Sequence, residues 1–382
     1  MSTNPEPPRR RPRVRRLLLS DFRSYEALDL RFDADFVAFV GENGAGKTNL
    51  LEALSLFSPG RGLRRAELAE CARIGGAGGF SVAVEVEEDG ETRPMGLGLE
   101  PGPEGPQRVN RIDRAPVASA RAFSDHVRLV WLTPAMDPLL SGAASERRKF
   151  LDRLVLAIDP AHGARVGQFE RALRGRNKLL EENGRAAWLD AVEREAAELG
   201  AAIAAARVEC VSRLGATILA ERDEASPFPW AGLALQGEVE ALVAAHPALE
   251  AEDRYRALLR DNRGRDAAAG RTLIGPHLSD LEVTHGPKGA PAGRASTGEQ
   301  KGLLVGIVLA HARLVADMSG IAPIALMDEI AAHFDPRRRE ALFAALARIS
   351  GQAFLTGADP AAFAAFEGAR YVTASGGVAR VG

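Results

Sequence analysis

The stretch Gly41-Glu42-Asn43-Gly44-Ala45-Gly46-Lys47-Thr48 matches G-x-x-x-x-G-K-[ST] at every fixed position. The chemistry open to it is phosphate binding. Its glycines let backbone N–H groups converge on phosphate oxygens, and the helix that must follow adds partial positive charge at its start. Lys47 has the reach to neutralise the β- and γ-phosphates of a nucleoside triphosphate such as ATP, and the Thr48 hydroxyl is a ligand for Mg²⁺. Two acids, Asp328 and Glu329, end the apolar run Ile324-Ala325-Leu326-Met327. At the end of a buried strand beside a phosphate loop, the first carboxylate supports Mg²⁺ through its coordination shell and the second polarises an attacking water. A third stretch, Ser296-Thr297-Gly298-Glu299-Gln300-Lys301, precedes an apolar run from Gly302 to Met318. A Ser-x-Gly turn at a helix start offers backbone donors and a hydroxyl to an anion; standing alone it is an ordinary N-cap.

These residues need elements to place them. Phe36 to Val40 reads as a buried strand feeding the glycine loop, and Asn49 to Leu54 as the helix leaving it. Val14 to Leu19 and Leu28 to Phe32 read as short strands around a polar turn, and alternation from Phe80 to Val86 reads as a half-exposed antiparallel strand. Val127 to Leu132 is a further buried strand. From Ser145 to about Arg222 the pattern is helical, with Leu189, Val192, Leu199, Ile203, Cys210, Leu214 and Ile218 along one stripe. A continuous helix of roughly 35 residues at about 1.5 Å per residue is about 50 Å long, too long for the inside of a compact head. It reads as an arm. A second amphipathic piece runs from about Val239 to Arg260, 261–270 reads as strand and loop, and Asp335-Pro336 opens another helix. The expected architecture is an α/β P-loop NTPase head formed by 1–137 and 268–382, interrupted by a mainly helical arm at 138–267.

At 382 residues the chain exceeds the usual size of one core, which agrees with two domains. A formal net charge of −2 excludes a uniformly basic nucleic-acid binder, so any DNA contact has to be local. Cys71 and Cys210 form no metal-ligand spacing and fit a reducing, cytoplasmic setting. No uninterrupted apolar run approaches the roughly 20 residues of a membrane span, so no membrane attachment is expected. The arginine-rich stretch from Pro5 to Arg16 reads either as a solvated tail or as a phosphate-contacting arm.

Taken in order, these motifs resemble the RecF family, ABC-type ATPases related to the heads of the SMC and Rad50 proteins. The resemblance rests on Leu19 to Tyr25, Gly41 to Leu54, Leu56 to Arg61, Glu146 to Asp152, Arg176 to Leu180, Gly275-Pro276-His277, Ser296 to Lys301 and Met327 to Glu329. It implies an ABC-type head that dimerises on ATP, with Ser296 and Gly298 of one copy contacting the γ-phosphate held by the other. It further implies that Asp335 acts across that dimer and that Arg23 and Ser24 lie near the adenosine. The resemblance also implies ATP-dependent binding of gapped or junction DNA, acting with RecO and RecR to load RecA during replication-linked gap repair and the SOS response. Thr133-Pro134 offers no Q-loop glutamine and Phe354 to Gly357 no switch histidine, so a weak, DNA-stimulated ATPase that uses ATP as a conformational switch is expected. Leu278 stands where many relatives carry arginine. An ATPase subunit energising a membrane transporter shares the loop, cap and acids, but the helical insertion and missing histidine count against it. A small-molecule P-loop kinase has no use for the Ser-x-Gly cap.

Overall fold

The computed structural model describes residues 9–102, 105–223, 225–330, 334–364, 366–374 and 376–381. The chain divides into two compact units, one of 1–137, 223–228 and 304–382 and the other of 138–222 and 229–303. The second unit therefore extends past the 267 boundary expected from sequence, because 280–285 pairs with 231–236.

The first unit is built on two sheets. One is antiparallel, in the order β2-β1-β4-β5-β6-β7, from β1 (Arg13–Phe22), β2 (Tyr25–Arg31), β4 (Phe80–Glu88), β5 (Glu91–Glu100), β6 (Gln107–Ile112) and β7 (Ala115–Pro116). The other runs β15-β14-β3-β13-β12-β8, from β3 (Phe36–Val40), β8 (Leu129–Leu132), β12 (Ile324–Met327), β13 (Gln352–Gly357), β14 (Ala369–Ala374) and β15 (Gly377–Arg380). All its pairings are parallel except that of β15. Side chains of both sheets and of α1 (Lys47–Ser55) share one apolar core that includes Leu17, Val37, Phe39, Leu50, Val82, Leu326 and Phe354. The central parallel strands are buried on both faces, which is why they read as unbroken apolar runs.

From Arg9 onward the arginine-rich stretch is neither a free tail nor an open cationic arm. Arg13 opens β1, Arg10 pairs with Glu88, Arg13 with Asp35, Arg15 with Glu87 and Arg16 with Asp29 and Glu85. The start of that stretch, 5–8, lies outside the described residues.

The second unit contains α2 (Ala144–Ile158), α3 (His162–Glu181), α4 (Ala186–Ala220), α5 (Glu238–Ala245), α6 (Ala248–Asp261) and α7 (Arg263–Ala269). It also holds a three-stranded antiparallel sheet of β9 (Ala231–Gln236), β10 (Asp280–His285) and β11 (Ala290–Pro291). The long helix is present, at 35 residues, and is the spine of this unit: Ala196, Ala197, Ile203 and Ala204 are buried with Phe169, Val239, Tyr255 and Leu259. The 261–270 stretch is mainly helix, ending at Gly270 with φ 65°, and not the expected strand and loop. Its Asp266 is fixed from a distance: Arg176, fully buried, donates to Asp266 at 2.7 Å, Glu193 at 3.0 Å, Thr272 at 2.8 Å and the Leu259 carbonyl at 2.6 Å. Arg176→Ala leaves the buried Asp266 carboxylate without its cation, while Glu193 keeps Arg263, and is expected to cost about 3–5 kcal/mol, read as a lower urea midpoint for the second unit; an unchanged midpoint would show the network to be dispensable.

The helix α8 (Thr297–Ser319) starts five residues earlier than its apolar run suggests. By length and overall composition it could cross a membrane, although charged residues interrupt its apolar run, and 72% of its apolar window is buried inside the protein. Leu303, Leu304, Val305 and Val315 are each at most 1% exposed, the pattern of a core helix.

Candidate nucleotide-binding site

Strand, glycine loop and helix follow one another as expected, with β3 ending at Val40 and α1 beginning at Lys47. Glu42, Asn43 and Gly44 are exposed along the loop, and Ala45 is partly exposed. Two glycines are dictated by geometry. At Gly41 a Cβ would stand 2.2 Å from the Thr373 carbonyl oxygen of β14. Gly46 caps α1 in the left-handed region, φ 102°, where a Cβ would strike the Tyr25 hydroxyl and Ser24 Oγ.

Lys47 is buried under this loop, where its Nζ donates to the carbonyls of Gly41 at 2.7 Å and Glu42 at 2.8 Å. Those bonds pre-orient the ammonium along the loop's inner edge. The same Nζ lies 3.6 Å from Glu329 Oε1. Thr48 donates its hydroxyl to Asp328 Oδ1 at 2.9 Å, joining the loop helix to the acid strand across 280 positions of sequence. Asp328 is in turn anchored by its amide, which donates to the Leu132 carbonyl of β8. Burial pushes the Asp328 carboxyl above the usual range, against the pull of its two hydroxyl donors, Thr356 and Thr48. A cation close to this group would favour its ionised form.

The residues present fit a magnesium ion. Thr48 and Asp328 form an all-oxygen pair with one hydroxyl and one carboxylate, the hard donors Mg²⁺ takes when phosphates and waters complete its shell. Among the described residues no group of three or more His, Cys, Asp or Glu side chains could hold a metal unaided.

Glu329 carries its side chain from a left-handed backbone, φ 51°, a conformation that costs a non-glycine residue roughly 1–3 kcal/mol. What holds it there is Thr356, missed as a site residue from sequence. Its hydroxyl accepts the Glu329 amide at 2.9 Å and donates to Asp328 Oδ1 at 2.7 Å.

Arg23 and Ser24 sit beside the loop on the turn between β1 and β2. Arg23 donates to Glu52 of α1 at 2.9 Å and to the Glu70 carbonyl at 2.6 Å, and Glu52, only 1% exposed, also pairs with Arg64 at 2.6 Å. Ser24 is exposed; its Oγ accepts from Asn49 at 2.9 Å, and Tyr25 reaches the Gly46 carbonyl at 3.2 Å. The β1–β2 turn is thus fastened to the start of α1. Asp335 caps α9 (Pro336–Ile349), its side chain accepting the Arg338 amide at 2.9 Å.

In the second unit, Ser296 precedes the first turn of α8, and Gly298 lies exposed within it. Ser296 and Glu299 form a reciprocal cap: the Ser296 amide and hydroxyl donate to Glu299 Oε2 at 3.0 and 2.9 Å, and the Glu299 amide reaches back to Ser296 Oγ. Lys288 pairs with Glu299 Oε1 at 2.6 Å. This ammonium, and then the Ser296 amide and hydroxyl, hold the Glu299 carboxyl down at about 2. His277 is half-buried, its Nε2 donating to the Thr272 carbonyl at 3.0 Å, and this partial burial lowers its pKa.

Residues 16–90 match the family model described as AAA domain, the segment that carries the phosphate loop. The chain is 52% identical over 366 residues to the DNA replication and repair protein RecF of Rhizobium etli (strain CIAT 652), an alignment covering 95% of this chain and 97% of that one. The RecF of Mesorhizobium japonicum is also 52% identical, over 368 residues. The chain belongs to the RecF family. The fold agrees: a solved structure described as the recombination mediator protein RecF-ATP of the RecFOR pathway matches with a TM-score of 0.83 at 21% identity, covering 97% of this chain and all of that one. An SMC head domain from Pyrococcus furiosus matches with a TM-score of 0.52 at 16% identity over 97% of this chain and 96% of that one, a likeness of fold.

Proposed function

We propose that this RecF-family chain is an ATP-switched DNA-binding protein of recombinational repair. Two copies close on ATP, and Ser296, Gly298 and Asp335 of one copy complete the pocket whose Gly41 to Thr48 loop belongs to the other. The closed dimer grips gapped duplex or a single-strand–double-strand junction and acts with RecO and RecR in loading RecA, in replication-linked gap repair and the SOS response. The observation that carries the reading is the convergence of Lys47, Thr48, Asp328 and Glu329 just beyond the C-terminal ends of the parallel strands β3 and β12. The likeness to a RecF-ATP structure supports the choice of nucleotide.

In this reading the loop and Lys47 hold the β- and γ-phosphates, and Thr48 and Asp328 hold Mg²⁺, which when bound neutralises phosphate charge. Glu329 receives a proton from water as the water oxygen bonds to the γ-phosphorus; the bond from that phosphorus to the β,γ-bridging oxygen breaks and ADP leaves. Neither Thr133-Pro134 nor the 354–357 stretch supplies a glutamine or histidine to sense the γ-phosphate. Hydrolysis is accordingly slow, and ATP acts chiefly as the signal for closure.

Completion across a dimer has a direct test. Ser296→Arg and Lys47→Ala chains should each be inactive alone. Mixed equally, random pairing makes half the dimers mixed, each with one intact site of two, so about a quarter of wild-type ATPase activity should return. No recovery would mean that Ser296 acts within its own chain.

A further inference from the structure

Thr356 lies at the inner edge of the site and is fully buried. Its strand, β13, runs between β3 and β12, in parallel register with both, so that Thr356 pairs with Phe39 while Leu355 pairs with Met327. The side chain therefore sits where the strand feeding the phosphate loop and the strand ending in the two acids are both within reach. The following residue continues the link, for the Gly357 carbonyl accepts the Gly41 amide at 3.3 Å.

A hydroxyl has one proton to give and lone pairs to accept with. The Thr356 proton goes to Asp328 Oδ1 at 2.7 Å, and the Thr356 oxygen accepts from the Glu329 amide at 2.9 Å. Asp328 Oδ1 also accepts from Thr48 at 2.9 Å, so one carboxylate oxygen gathers the loop helix and β13 while Oδ2 lies outside both bonds. The Glu329 backbone needs such a hold because its φ of 51° is one that non-glycine residues leave readily.

We propose that Thr356 is a positioning residue that couples the two acids. By committing its proton to Asp328 and its lone pair to the Glu329 amide, it fixes the water-side carboxylate relative to the metal-side one and to Lys47. This rests on the proposed ATPase reading only for its effect on turnover; the backbone hold is a property of the chain without nucleotide.

The test compares Thr356→Val, which keeps the shape and loses the hydroxyl, with Thr356→Ser, which keeps the hydroxyl. Hydrogen exchange at the Glu329 amide is measured on the full chain without nucleotide, beside ATP affinity and turnover with Mg²⁺. In Thr356→Val the Glu329 amide should exchange about tenfold faster, the loss of one hydrogen bond. Turnover should fall about 10–100-fold, as for other partners that orient a reactive group, with ATP affinity within about threefold of wild type. Thr356→Ser should restore both. Unchanged exchange in Thr356→Val overturns the proposal, as does equal loss in Thr356→Ser, which would assign the residue to packing. If the wild-type chain hydrolyses no ATP, the ATPase reading fails while the exchange comparison still decides the role of Thr356.

Discussion

Lys47→Ala should abolish ATP-stimulated DNA binding while leaving the protein folded. The ammonium is held by two loop carbonyls, and its removal leaves those oxygens at a partly exposed loop, so stability should change little. The nucleotide loses much more. A charge-assisted hydrogen bond contributes about 1.5–3 kcal/mol, and the γ-phosphate is deprived of its nearest fixed cation, so ATP should bind roughly 100-fold more weakly. Titration calorimetry with ATP and fluorescence anisotropy on gapped DNA check both halves. A well-folded Lys47→Ala chain that binds DNA with wild-type dependence on ATP would remove the loop from the switch.

Glu329→Gln should separate binding from hydrolysis. Glutamine keeps the size of the side chain and its backbone conformation, and the Glu329 amide bond to Thr356 does not involve the carboxylate. The amide side chain cannot take up the water proton, so turnover should fall about 10²–10⁴-fold. ATP should still bind, since Lys47, Thr48 and Asp328 are untouched. The variant should then accumulate as an ATP-bound dimer that persists where the wild type reverts to monomer. Retention of wild-type turnover would mean that another group accepts the proton.

Much of the site was legible in the sequence because its determinants are local. The phosphate loop is fixed by contiguous glycines, and β3 and β12 announce themselves as apolar runs because parallel central strands are buried on both faces. The start of α8 was legible only through its Ser-x-Gly cap: Thr297 to Lys301 is polar, so apolar periodicity alone places the helix five residues late. Helix α7 could not be read, since Asp266 is held by Arg176 from 90 positions away. The sheet of β9 and β10 pairs segments some forty residues apart, with little local pattern to mark it. Thr356 left the faintest signal, one hydroxyl ending the apolar 353–355 run. Its role lies in bonds to Asp328 and Glu329, which are distant in sequence and which no local pattern announces. The basic N-terminal stretch misled for the opposite reason: its arginines are conspicuous in sequence, and Arg9, Arg10, Arg13, Arg15 and Arg16 meet acids supplied by other parts of the chain.

The claim that ATP closes two copies of this chain on DNA is tested most directly by sedimentation velocity of the wild-type protein, without nucleotide, with ATP and Mg²⁺, and with both plus gapped DNA. The account predicts a monomer without ATP, a dimer with it, and a dimer bound to the gapped duplex. A chain that stays monomeric with ATP and gapped DNA, while binding both, would contradict it.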